Sequence, residues 1–123
     1  MDSLVIAVVG SRSFGNPDAA RAVVEAAVAR IAATHPTATI VSGGTPGTDT
    51  WAETAARRYG LPCRVIRADW DTHGRIAGHL RNTELVRLAT HVLAFWDGRS
   101  PGTRDTLTKA RAAGKPVGLW QEK

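Results

Sequence analysis

Residues suited to holding an anion are concentrated in the stretch from Ile40 to Ala56, IVSGGTPGTDTWAETAA. A β-branched run ends at Ser42. A turn with Gly43, Gly44 and Gly47 follows, and an alanine-rich helical pattern opens at Thr48 or Asp49. A strand, a glycine loop and a helix start together present bare backbone N–H groups and the positive end of a helix dipole. Glycine lets a phosphate approach the backbone because no Cβ intervenes. The loop lacks the Lys-Ser/Thr ending of a P-loop, and its glycines do not fall as GxGxxG. Taken alone, it reads equally well as a tight turn.

Other loops carry compatible chemistry. Ser11, the amides around Gly43 and Gly44, and a helix start at Gly102-Thr103 can donate to phosphate oxygens. Arg12 and Arg81 can each grip a phosphate through two N–H groups. Asp49 and Asp97 can accept from ribose hydroxyls or base amines, although Asp49 can equally cap its helix. Phe14, Trp70 and Trp96 offer faces for a base, with core packing as the competing role. Trp51 and Trp120 suit packing or a subunit interface. Gly10, Asn82, Gly98 and Ser100 complete the set of candidate ligand-binding residues.

The elements that must position these residues alternate regularly. Strands are expected at Leu4 to Val9, Ala38 to Ser42, Pro62 to Arg67, His91 to Trp96 and Lys115 to Trp120. Asn16-Pro17-Asp18 opens a first helix that runs to about Ala33. The second runs to Tyr59, with a capping box at Thr50 and Glu53 as an alternative start. Residues 68–78 read as an irregular loop entering a helix over Ile76 to Ala89, with Leu80, Leu85 and Leu88 as its apolar stripe. Thr103 is expected to cap the last helix, which ends at Gly114. The pattern predicts an α/β fold: a Rossmann-like, doubly wound, mainly parallel five-stranded sheet with helices on both faces. In such sheets ligands sit beyond the carboxyl ends of the strands. Each distinctive loop follows a strand, whereas the opposite edge has plain connectors such as THPT.

At 123 residues the chain suits a single domain, 1–123. No apolar run reaches the roughly 18 residues of a membrane span. The acidic start MDSLVIAVVG does not read as a signal peptide, so a cytoplasmic location is expected. One cysteine, Cys63, excludes an internal disulfide, and the four histidines show no metal-ligand spacing. No metal or cofactor is therefore expected. A net charge of +5 permits nucleic acid or nucleotide phosphate as a partner. The arginines are scattered, however, as on solvated helix faces. Several tryptophans on a small sheet domain suggest a homo-oligomer.

Four co-linear segments carry a family resemblance: GSRSF, VSGGTPGTD, ADW…G…AG..RN and AFWDGRSPGT. They run from Gly10 to Thr103, and the chain resembles the YspA-like branch of the SLOG superfamily, which unites Smf/DprA proteins with the LOG phosphoribohydrolases. The resemblance implies binding or sensing of a nucleotide or nucleotide-derived ligand, such as an ADP-ribose-like molecule. LOG-type relatives cleave the N-glycosidic bond of nucleoside 5′-monophosphates. Arg81 resembles their arginine and SPGTRDT resembles their PGGxGTxxE element. Thr106, however, holds the glutamate position and cannot act as a carboxylate. If the chain is an enzyme, Arg81 with Asp49 or Asp97 would carry the reaction. Single-stranded nucleic acid binding, as in DprA relatives, is the third reading.

Overall fold

The first strand, β1 (Val5–Gly10), alternates its side chains across the sheet. Ile6 and Val8 enter one apolar layer, and Ala7 and Val9 the other. A strand buried on both faces needs this continuous apolar run. The computed structural model describes residues 4–12 and 16–121. It contains β2 (Thr39–Ser42), β3 (Cys63–Val65), β4 (His91–Trp96) and β5 (Val117–Gln121). The helices are α1 (Pro17–Thr34), α2 (Thr48–Arg58), α3 (Trp70–His73), α4 (Ala77–Leu88) and α5 (Pro101–Ala112).

All four strand pairings are parallel, in the order β3-β2-β1-β4-β5. Helices α1 and α2 cover one face, burying Ala20, Val24, Val28, Ala52, Ala55 and Ala56 over Ile6, Val8, Ile40 and Phe95. Helices α4 and α5 cover the other, with Leu85, Val86, Leu107 and Ala110 over Ala7, Val9, Val41, Val92 and Ala94. The expected Rossmann-like, doubly wound α/β domain is what forms. Among the described residues, no helix is long and apolar enough to cross a membrane.

Local starts and stops follow side-chain chemistry, with four departures from expectation. Asn16 caps α1 as expected, its Oδ1 accepting from Asp18 N at 2.9 Å and Ala19 N at 3.3 Å. The capping box at Thr50 and Glu53 does not form. Thr50 Oγ1 donates to Thr45 O, and the Glu53 carboxylate accepts from Ser42 Oγ at 2.5 Å. Helix α2 starts at Thr48, the first of the starts expected, behind Gly47.

The stretch expected to be irregular holds the short α3, capped by Asp69 on Thr72 N, and a 3-10 turn at Gly74–Ile76. Leu80 is not in the α4 stripe: it is 43% exposed, whereas Leu85 is 1% exposed. Five residues turn a helix by about 500°, so Leu80 and Leu85 point about 140° apart. Helix α5 begins at Pro101 rather than being capped by Thr103, which is buried in its first turn. Proline suits the first helical position because its missing N–H needs no partner there.

Candidate functional site

The chain order runs outward from β1 to β3, then returns to place β4 on the other side of β1. The loops after β1 and β4 therefore part at this switch point and leave a crevice, the usual ligand position in such sheets. Ser11 N donates to Phe95 O at 2.9 Å, which ties the first loop to β4. Ser11 Oγ accepts from Asp97 N at 3.0 Å and lies 3.0 Å from Ser100 Oγ. Asp97 accepts from Arg99 N, Ser100 N and Ser100 Oγ at 2.7 to 2.9 Å. Partial burial pushes the Asp97 carboxyl up, but the N–H groups of Ser100 and Arg99 and the two serine hydroxyls outweigh it and hold it at about 2.

The sign of the Asp97 effect on stability follows. Its folded value lies below 3.8, so its contribution is present above pH 3.8 and is lost as pH falls toward 2. Asp97→Ala should cost about 1–2 kcal/mol at neutral pH, because the turn N–H groups lose their acceptor. A urea melt checks this, and the gap from wild type should narrow toward pH 2.

The glycine loop after β2 is fastened to the first loop. Thr48 Oγ1 donates to Ser11 O at 2.9 Å, and Thr48 N donates to the same oxygen at 3.4 Å. At Gly47 the two backbones touch: a Cβ there would lie 2.0 Å from Arg12 O. Arg81 of α4 reaches across to this loop. Its Nη1 donates to Gly43 O at 2.6 Å and its Nε to Asn82 Oδ1 at 3.0 Å. A Cβ at Gly43 would meet Arg81 Nη1 at 2.6 Å and Asp49 Oδ2 at 2.9 Å, so glycine is what lets these charges flank the turn.

Asp49 does not cap the N–H groups of α2. Its Oδ2 accepts from Thr45 N at 3.2 Å and Thr45 Oγ1 at 2.8 Å, bending the glycine turn back over the helix start. Asp49 is 5% exposed, and burial pushes its carboxyl up to about 6 despite the Thr45 hydrogen bonds and the Arg81 charge. Burial also lowers the Arg81 value, and Asp49 opposes that. Asn82 joins α4 to α5, donating to Gly102 O at 3.2 Å and Asp105 Oδ2 at 3.1 Å.

These loops enclose a cavity of about 580 Å³. Of the residues picked out from the sequence, Gly10, Ser11, Arg12, Asp49, Trp70, Arg81, Asn82, Asp97, Ser100, Gly102 and Thr103 line it. Ser42, Gly43, Gly44, Gly47, Thr48, Trp96 and Gly98 are not on its wall. Ser42 and Thr48 are fully buried behind it, holding Glu53 and Ser11. Trp96 bonds Ser100 O through Nε1 and carries the Arg104 guanidinium 5.6 Å from its ring centre. Phe14 lies outside the described residues.

Sequence reasoning missed Thr45, Arg75 and His79, all on the wall, where Thr106 of the family's glutamate position also lies. Thr45 was legible as a hydroxyl inside the glycine turn. Arg75 lies in the segment read as irregular and His79 at the start of the helix expected after it, where nothing in the spacing gave their direction. Thr106 is 1% exposed, and its Oγ1 bonds Gly102 O at 3.3 Å, so its hydroxyl is engaged with its own helix. Among the described residues no group of three or more metal-ligating side chains occurs.

Comparison with known proteins adds the following. A family model, the YspA, cpYpsA-related SLOG family, matches residues 4–73. The Gene 61 protein of Mycobacterium phage D29 is 43% identical over 84 residues, which is 63% of this chain and 67% of that protein. Three solved structures share the fold. DNA processing protein A (DprA) of Streptococcus pneumoniae has a TM-score of 0.79 at 21% identity, over 95% of this chain and 50% of that one. DprA of Helicobacter pylori, solved for its single-stranded DNA binding mode, gives 0.77 at 17% identity, over 98% and 66%. The structural-genomics target TM1055 gives 0.75 at 21% identity, over 93% and 72%. This chain therefore spans about half the length of the pneumococcal DprA chain.

Proposed function

This chain belongs to the YspA, cpYpsA-related SLOG family, and on that premise we propose that it binds a nucleotide or nucleotide-derived ligand at the carboxyl edge of its sheet. The observation that carries this reading is the cavity wall on which Arg81 and Asp49 flank the glycine turn, with Ser11 and the start of α5 on the same cavity. A guanidinium and backbone amides suit phosphate oxygens, and the exposed Trp70 suits a base. A thermal-shift screen across nucleoside mono-, di- and triphosphates, ADP-ribose, NAD, cyclic dinucleotides and a short oligonucleotide tests it. A ligand at about 100 times its dissociation constant adds roughly 2.7 kcal/mol, a shift of several degrees. Arg81→Ala should abolish that shift while leaving a cooperative melt. A shift unchanged in Arg81→Ala would sink the site.

A second reading, N-glycosidic cleavage of the bound nucleotide, is favoured by one observation. Asp49 is a buried carboxyl with a value of about 6 on the cavity wall, in the range of a proton-transfer group near neutral pH. Asp97, with both oxygens engaged by the turn, is the weaker candidate. Free base released by wild type and lost in Asp49→Asn would establish it. The third reading, single-stranded nucleic acid, draws on the net charge of +5 and on the DNA-binding mode of Helicobacter DprA. Its mark is oligonucleotide affinity that falls steeply with salt. Exposed Leu119 and Trp120 on the edge strand β5 support self-association, which light scattering across a concentration series measures.

A further inference from the structure

One wall of the cavity is built by the segment after β3 rather than by the glycine loops. Arg75 of the 3-10 turn and His79 of α4 both face the cavity there. His79 is held from behind. Its Nδ1 lies 3.2 Å from Asp105 Oδ2, and Lys109 Nζ donates to His79 O at 2.7 Å and to Asp105 Oδ2 at 2.7 Å. Asn82 Nδ2 donates to the same carboxylate. With Nδ1 on Asp105, Nε2 is the ring nitrogen left for a ligand. Arg75 has no hydrogen-bond or ion-pair partner among the described residues, so its guanidinium is uncommitted. Asp105 is thus engaged by Lys109, Asn82 and the imidazole, while the Arg75 guanidinium on the same cavity wall is left for an anion.

On the proposed reading a first phosphate is met by Arg81 and the start of α5, which come from other parts of the chain. We infer that Arg75 and His79 form a second phosphate position on this cavity, so that its ligand carries two phosphates, as a nucleoside diphosphate or a dinucleotide does. The inference rests on the nucleotide-binding reading and narrows its ligand class. The cavity volume of about 580 Å³ is in the range of pockets that bury a whole nucleotide-sized ligand. Gly78 supports the arrangement. A Cβ there would lie 3.4 Å from the Trp70 ring, so the indole rests on bare backbone beside His79 and offers a base its face at the rim.

Isothermal titration with adenosine 5′-monophosphate and 5′-diphosphate, against wild type, Arg75→Gln and His79→Gln, tests it. Both side chains are exposed, and the partnerless Arg75 can be removed without unfolding the domain. Wild type should prefer the diphosphate by about tenfold or more, the scale of a charge-assisted contact. Each substitution should erode that preference while leaving monophosphate affinity unchanged. Equal affinity for the two nucleotides in wild type, or a preference untouched by both substitutions, overturns the second position and leaves nucleotide binding standing. Binding of neither overturns both.

Discussion

Gly47→Ala should be the most damaging glycine-to-alanine change among the described residues. The Cβ it adds would lie 2.0 Å from Arg12 O and 2.5 Å from Arg12 C, inside any possible contact distance. The atoms it meets are backbone, so no side chain can swing away. Gly47 also has a φ of 87°, where an L residue pays a further roughly 1–2 kcal/mol. The two loops must separate or the helix start must shift, and either breaks the Thr48 bonds to Ser11 O. A loss of roughly 3 kcal/mol or more is expected, which is about 10 °C or more in Tm for a domain of this size. Gly60→Ala isolates the clash. Gly60 has a φ of 78°, but nothing lies within 4 Å of a Cβ there. It should cost only the backbone strain, about 1–2 kcal/mol. Equal melting temperatures for the two variants would show that the loop contact does not hold the site together.

That contact marks the boundary of what the sequence can show. Continuous apolar, β-branched runs and helix signals were enough to place five strands and the major helices, because burial on two faces forces the pattern on each element independently. The loops after β1, β2 and β4 were legible for the same reason, since glycines, hydroxyls and acids stand out between apolar runs. What each residue does within its loop depends on partners far away in sequence. Gly43, Gly44 and Gly47 read as phosphate contacts, yet Gly43 makes room for Arg81 and Gly47 for the backbone of Arg12. Thr48 and Ser42 lie in the stretch read as suited to an anion, yet they bond Ser11 O and Glu53. His79 read only as a failed metal ligand, because its partner Asp105 sits on the next helix. Local spacing carries fold and site location. The division between residues that touch the cavity and residues that shape it is tertiary.

Asp49→Asn should make the protein more stable at pH 8 while weakening its ligand. Burial raises the Asp49 carboxyl from 3.8 to about 6, so the folded state holds a proton that the unfolded chain releases between those values. Its contribution to stability is therefore fully present below pH 3.8 and is lost as pH rises through about 6. A difference of about two units corresponds to roughly 3 kcal/mol as an upper bound. Asparagine removes the buried charge and can still accept from Thr45 N and Oγ1 through Oδ1. It also leaves the half-buried Arg81 without a counter-charge, so a net gain of about 1–2 kcal/mol at pH 8 is expected, shrinking to nothing near pH 4. Melts of both proteins across that range measure it, and an Asp49→Asn protein less stable than wild type at pH 8 would falsify the assignment. The same substitution should weaken nucleotide binding by about tenfold, because a neutral amide accepts a sugar hydroxyl less strongly than a carboxylate does. Opposite signs for stability and affinity separate a residue kept for ligand from one kept for the fold. If both fall together, Asp49 is a structural clasp for the glycine turn, and the ligand is held by Arg81 and the start of α5 alone.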